Sequence, residues 1–102
     1  MSEYSWPDDG IETGRRAQAS WSDTCRALPI GTQVTGTVIG RQPFGVFLRI
    51  DGTPDAIGLA EITAMPPDFD LPCLGALVTG EVIWHTEHNH QVRIRLTAQA
   101  GG

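Results

Sequence analysis

The chain has 102 residues, room for one hydrophobic core, and its 12 Gly, 7 Pro and 40% hydrophobic residues suit a folded, turn-rich β domain and argue against a helical bundle. Its formal charge of −5 divides as −2 over residues 1–30 (three Arg, five acids) and −3 over residues 31–102 (four Arg, seven acids), which weighs against a strongly basic, nonspecific nucleic-acid binder. No run approaches the roughly 20 apolar residues of a membrane span, and the opening MSEYSWPDDG lacks the basic and apolar regions of a signal peptide, so a cytoplasmic chain without membrane association is expected.

In chain order, residues 1–13 are polar and carry Trp6-Pro7 and Asp8-Asp9-Gly10, which reads as a flexible arm. Over residues 14–28 the pattern changes. Ala17, Trp21, Cys25 and Leu28 recur at helical spacing and Pro29 closes the segment, which predicts a short amphipathic helix. A helix of about fourteen residues is marginal alone, so its apolar stripe must bury against its own domain or against a partner. Residues 29–98 read as five strands, near Thr32 to Arg41, Gly45 to Ile50, Ala56 to Ala60, Ala76 to His85 and Gln91 to Thr97. Asp51-Gly52 marks a turn, and TAMPPDFDLPCLG is too rich in proline for more than one helical turn. Residues 99–102, ending Gly101-Gly102, read as a flexible tail. Five short strands interrupted once after the third predict an all-β protein, a five-stranded OB-fold barrel with a short N-terminal helix and flexible termini.

Alternation assigns the strand faces. Val34, Gly36 and Val38 share one parity, as do Val46, Leu48 and Ile50, and these are the inward positions. Phe47 and Arg49 fall on the opposite parity. Arg41, Arg93 and Arg95 are likewise expected to face outward, and all seven basic residues of the chain are arginine, the planar cation that stacks. An aromatic beside a guanidinium on a solvent-facing strand suits the stacking of nucleobases. Two plainer readings stand beside this one: the phenylalanines pack under the N-terminal helix or fill the barrel mouth, and the arginines pair with acids such as Glu81 across the sheet.

Over about Leu28 to Thr97 the sequence resembles the RNA-binding module of ribosomal protein S1 type, also found in polynucleotide phosphorylase and ribonuclease E. The resemblance rests on Gly31-x-x-Val34-x-Gly36-x-Val38, Phe44-Gly45-Val46-Phe47-Leu48, Gly58-Leu59-Ala60-Glu61-Ile62-Thr63, Gly75-x-x-Val78 and Arg93-Ile94-Arg95-Leu96-Thr97. It implies that Phe44 and Phe47 stack on RNA bases and that Arg93 contacts the backbone. Two positions depart from the family pattern: Glu61 stands where a histidine is common, and His88 aligns with a usual acidic residue. A carboxylate near phosphates is repulsive, which points either to weak, selective binding of single-stranded RNA or to a face redirected to protein.

His85, His88 and His90 in HTEHNH do not have zinc-site spacing, and a tight hairpin explains the run more simply; protonation below about pH 6.5 would add positive charge to the barrel rim. Cys25 and Cys73 lack CxxC spacing and read as free, buried, structural thiols. There is no phosphate-binding glycine loop, nucleophile elbow or catalytic carboxylate pair, so no enzyme activity, metal or cofactor is expected. The sequence therefore predicts a monomeric single-stranded RNA-binding protein using Phe44, Phe47, Arg49 and Arg93, with Arg41 and Arg95 in support. The alternative is an interaction module docking on a partner protein of RNA processing or translation through the helix stripe or the face around Phe47 and Glu61.

Overall fold

A computed structural model of the chain describes residues 4–66 and 69–99. Among these, helices α1 (Gly10–Ala19) and α2 (Trp21–Ala27) precede strands β1 (Gln33–Gln42), β2 (Gly45–Ile50) and β3 (Ile57–Glu61). A single 3-10 turn (Ile62–Ala64) and the proline-rich loop lead to β4 (Leu77–Thr86) and β5 (Gln91–Gln99). The strands close a barrel in the order β1-β2-β3-β5-β4, with β4 returning to β1. All neighbours are antiparallel except β3 and β5, which run parallel and pair only from Ile57 with Gln91 to Leu59 with Arg93.

Period-two burial drives this closure. Val38, Val46, Leu48, Ile50, Ala60, Val78, Val82, Val92, Ile94 and Leu96 all point inward and form one buried cluster, capped by Leu28 and Ala56. Each aliphatic side chain buried in this way stabilises the fold by about 1.5–3 kcal/mol. The turn at Asp51-Gly52 closes as expected, with Gly52 at φ 83° and the Thr53 amide donating to the Ile50 carbonyl at 3.2 Å. Among the described residues no helix is long and apolar enough to cross a membrane.

The N-terminal segment differs from the expected arm and single helix. Helix begins already at Gly10, and Ser20 (φ −101°, ψ 10°) interrupts it. The cause lies in the side chain of Ser20, which donates to Asp55 Oδ2 at 3.0 Å in the β2–β3 connection instead of leaving its residue free to continue the helix. The resulting bend lets both ends of the apolar stripe reach the curved barrel: Ala17 and Leu28 are buried, and Trp21 packs against the core cluster. The stripe of Trp21, Cys25 and Leu28 is therefore a docking surface for the chain's own barrel. Residues 4–9 also lie on the barrel, held by mutual backbone hydrogen bonds between Ser5 and Arg41 of 2.7 and 2.6 Å. Residues 1–3 of the expected arm and 100–102 of the expected tail lie outside the described residues.

Cys25 and Cys73 are both free, but Cys73 is exposed in the loop before β4, which corrects its expected burial; a proline-rich connection forms no second core to cover it. Burial, with the Glu87 carboxylate adding to it, pushes the half-buried Cys25 thiol up. Since the thiolate is the reactive species, Cys73 should alkylate first in the native protein. Mass spectrometry after brief iodoacetamide treatment checks this, and preferential labelling of Cys25 would contradict it.

Candidate nucleic-acid interface

One row of residues crosses all five strands. Gly40 on β1 is opposite Phe47 on β2, Phe47 opposite Leu59 on β3, Leu59 opposite Arg93 on β5, and Arg93 opposite Trp84 on β4. Paired residues share a face, and neighbouring strands lie about 4.8 Å apart, so these side chains form a continuous outward band. Neither Phe47 nor Leu59 belongs to the core cluster inside the barrel.

Phe47 nevertheless is only 6% exposed, because the chain's own arm covers it. The Trp6 ring lies 5.8 Å from the Phe47 ring and 6.2 Å from that of Phe44, and the two phenylalanines meet edge to face at 5.9 Å. Pro7 lies against Gly40 so closely that an added Cβ there would be 2.7 Å from Pro7 Cδ. Beside this contact, a half-open pocket of about 380 Å³ is lined by Trp6, Pro7 and the start of α1 on one side and by Phe47, Ile57 and Gln91 on the other. Phe44 remains 42% exposed, and the outer face of Trp6 is open. Phe47 thus points away from the barrel axis, as alternation predicts, and also packs beneath the N-terminal segment.

The four arginines have different surroundings. Arg49 is exposed, and among the described residues it makes no ion pair or side-chain hydrogen bond; it lines a depression of about 450 Å³ together with Asp8, Asp9 and Arg16. Arg93 is ion-paired with Glu61 on the neighbouring strand, while its buried Nε has no hydrogen-bond partner. Arg95 faces Glu81 in register and pairs with it, as in the plainer reading of these residues. Arg41 does not share the outward parity assigned to it. A register shift between Val38 and Gly40 sets Arg41 opposite Val46, on the inward side. There its Nε and Nη2 donate to the carbonyls of Pro72 and Leu71 at 3.0 and 3.2 Å, and its guanidinium lies 5.5 Å from the Tyr4 ring centre. Arg41 clamps the loop and the arm.

Trp84 was not singled out by the pattern. Val78, Gly80 and Val82 point inward, so plain alternation carries Trp84 inward as well. A register shift between Val82 and Trp84 inserts Ile83 as an extra residue, and such a bulge re-aims the following side chain. Trp84 is 61% exposed as a result. The only available signal was chemical: a tryptophan is a poor fit for the interior of a barrel otherwise lined by valine, isoleucine and leucine.

The histidines do not converge. His85 Nε2 lies 2.6 Å from the Leu28 carbonyl, and Trp21 meets His85 and His90 edge-on at 6.2 and 5.6 Å, so two of the three fasten α2 to the hairpin. His88 is exposed. Among the described residues no group of three His, Cys, Asp or Glu side chains is placed to hold a metal ion.

No protein-family model matches the sequence, and no curated protein matches it. Solved structures do share its architecture. The chain aligns with part of Mycoplasma genitalium RNase R in the apo form, with a TM-score of 0.70 at 16% identity over 86% of this chain and 16% of that one. The barrel is an OB-fold. The same values hold for Mycoplasma genitalium RNase R in complex with ribose-methylated single-stranded RNA. A multidomain protein with nucleic acid binding domains from Streptococcus pneumoniae aligns with a TM-score of 0.58 at 16% identity, over 76% of this chain and 28% of that one. The chain therefore spans 16% to 28% of the proteins it resembles in structure.

Proposed function

We propose that this chain is a single-stranded RNA-binding protein of the S1 type, in which the outward face of β2, β3 and β5 receives bases on Phe44 and Phe47 and backbone near Arg49 and Arg93. The observation that carries this reading is the aromatic cluster itself. Trp6 rests on Phe44 and Phe47 where a base would stack, and Asp8 and Asp9 share a depression with Arg49, so the arm holds an aromatic ring and two carboxylates in the places of base and phosphate. RNA then binds by displacing the arm. The likeness of the barrel to RNase R, whose structure with single-stranded RNA shares the same fold, supports the reading. On this reading the protein is a cytoplasmic monomer, acts without enzyme activity or cofactor, and uses stacking more than charge.

Anisotropy titration of labelled oligo-U and oligo-A at low and moderate salt tests it. With stacking worth about 1–3 kcal/mol per base and a displaced arm opposing it, affinity should be micromolar or weaker. Because one or two arginines neutralise phosphate, the log–log salt slope should be about −1.5 or shallower. The Phe44→Ala/Phe47→Ala double variant should lose this binding, and retention of full affinity would remove the stacking assignment.

A protein-interaction role is the second reading, favoured by one observation: three of the four barrel arginines are already engaged, by Glu61, by Glu81 and by loop carbonyls. It predicts no RNA affinity at low salt, and with the helix stripe docked on the barrel the strand face is the one that remains of the two surfaces the sequence offers a partner.

A further inference from the structure

We propose that Trp84 forms a second stacking subsite for a base of single-stranded RNA, at the opposite end of the row from Phe47; this inference rests on the RNA-binding reading above. Its basis is the bulge. Without the extra residue Ile83, the indole would enter the barrel; with it, the ring stands 61% exposed on the same outward face as Phe47, Leu59 and Arg93. A large apolar ring held out in water opposes the hydrophobic gain of burial. Bulges that re-aim a side chain in this way recur at functional sites.

Three features select a nucleobase as the occupant. First, the subsite lies in register with the aromatic face through Leu59, itself buried, and Arg93, so the two aromatic positions stand on one face with Arg93 between them. Second, unlike Phe47, Trp84 makes no ring contact with the N-terminal arm among the described residues, so a base can reach it with the arm in place. Third, its immediate neighbours suit the flat face of a base better than a phosphate. Trp84 borders a shallow depression of about 640 Å³ with Ile30, Arg93, His88 and Glu87. Glu61 already holds Arg93 and Glu87 sits on the rim, so a phosphate is drawn to this end of the row less than to the exposed Arg49. A planar indole beside a planar guanidinium is a stacking surface for any of the four bases.

The test uses the full chain and labelled oligo-U and oligo-A at low salt, comparing the natural protein with Trp84→Ala, Trp84→Phe and Phe44→Ala. Trp84→Ala should weaken binding about tenfold, the worth of one stacked base, while Trp84→Phe should keep most of the affinity because a ring remains. Circular dichroism should be unchanged, since the side chain is exposed. Binding by the natural protein that falls in Phe44→Ala but stays unchanged in Trp84→Ala would overturn the subsite and leave the RNA-binding reading standing. If no protein binds either oligonucleotide, both fall together. Sedimentation that shows a dimer of the natural protein, converted to monomer by Trp84→Ala, would make Trp84 a protein contact and overturn the subsite as well.

Discussion

Gly40→Val is expected to strengthen binding of short single-stranded RNA about tenfold, by lifting the arm from the barrel; a tenfold gain corresponds to about 1.4 kcal/mol. A Cβ at residue 40 would lie 2.7 Å from Cδ and 2.9 Å from Cγ of Pro7, and a proline ring has no rotamer by which to retreat. The barrel itself is little disturbed, because these nearest atoms all belong to the arm and valine suits a strand. What is lost is the pair of ring contacts that Trp6 makes with Phe44 and Phe47, each worth about 0.5–1.5 kcal/mol. Closure of the face by the arm reduces apparent affinity by the fraction of molecules left open, so releasing the arm returns that free energy to RNA binding. Trp6→Ala should act in the same direction. If both variants bind more weakly than the natural chain, bases stack on the open face of Trp6 and the arm is part of the platform.

Gly45→Ala should be the most damaging single methyl in the barrel. The residue begins β2 at φ 153°, an angle that L side chains rarely adopt, and a Cβ there would overlap the Ala60 carbonyl oxygen and come within 2.9 Å of Glu61 Cα. These are backbone atoms of the paired strand β3, so relief requires the two strands to separate where Phe44 and Glu61 adjoin the candidate face. Overpacking with a strained backbone costs about 3 kcal/mol, a large part of the stability of a domain this size. Urea unfolding followed by tryptophan fluorescence measures it. A loss below about 1 kcal/mol would show that the β2–β3 pairing shifts to admit the methyl group.

Much of the barrel was legible because burial imposes a period of two, and Val46, Leu48 and Ile50 follow it without interruption. Where a strand carries an extra residue, the same rule misleads. The shift after Val38 moved Arg41 off the outward face, and the shift after Val82 moved Trp84 onto it; both depend on pairing with another strand, which local alternation does not encode. Phe47 illustrates a different boundary. Its parity states that it leaves the barrel, but only the path of a distant segment decides that Trp6 lies over it. The helical stripe was visible in Ala17, Trp21 and Leu28, whereas the break at Ser20 depends on Asp55, far along the chain. Glu61 stood out as a departure from the S1 pattern; that it holds Arg93 is a property of the parallel pairing of β3 with β5.

That parallel pairing has a kinetic consequence. The hairpins β1–β2, β2–β3 and β4–β5 each join strands adjacent in sequence and can zip from their turns. The β3–β5 seam instead waits for the whole of β4 and the loops on either side to be in place, and then gains only the short stretch from Ile57 with Gln91 to Leu59 with Arg93. Non-local pairings of this kind form slowly because loop-closure entropy must be overcome before any contact rewards it. The barrel has one other non-local closure, β1 with β4 from Gln33 with Glu81 to Thr37 with Leu77, and the β3–β5 seam, with fewer paired residues, is the weaker of the two in a local opening. Since Leu59 and Arg93 lie on it, the row from Phe47 to Trp84 becomes a single surface only once that seam has closed.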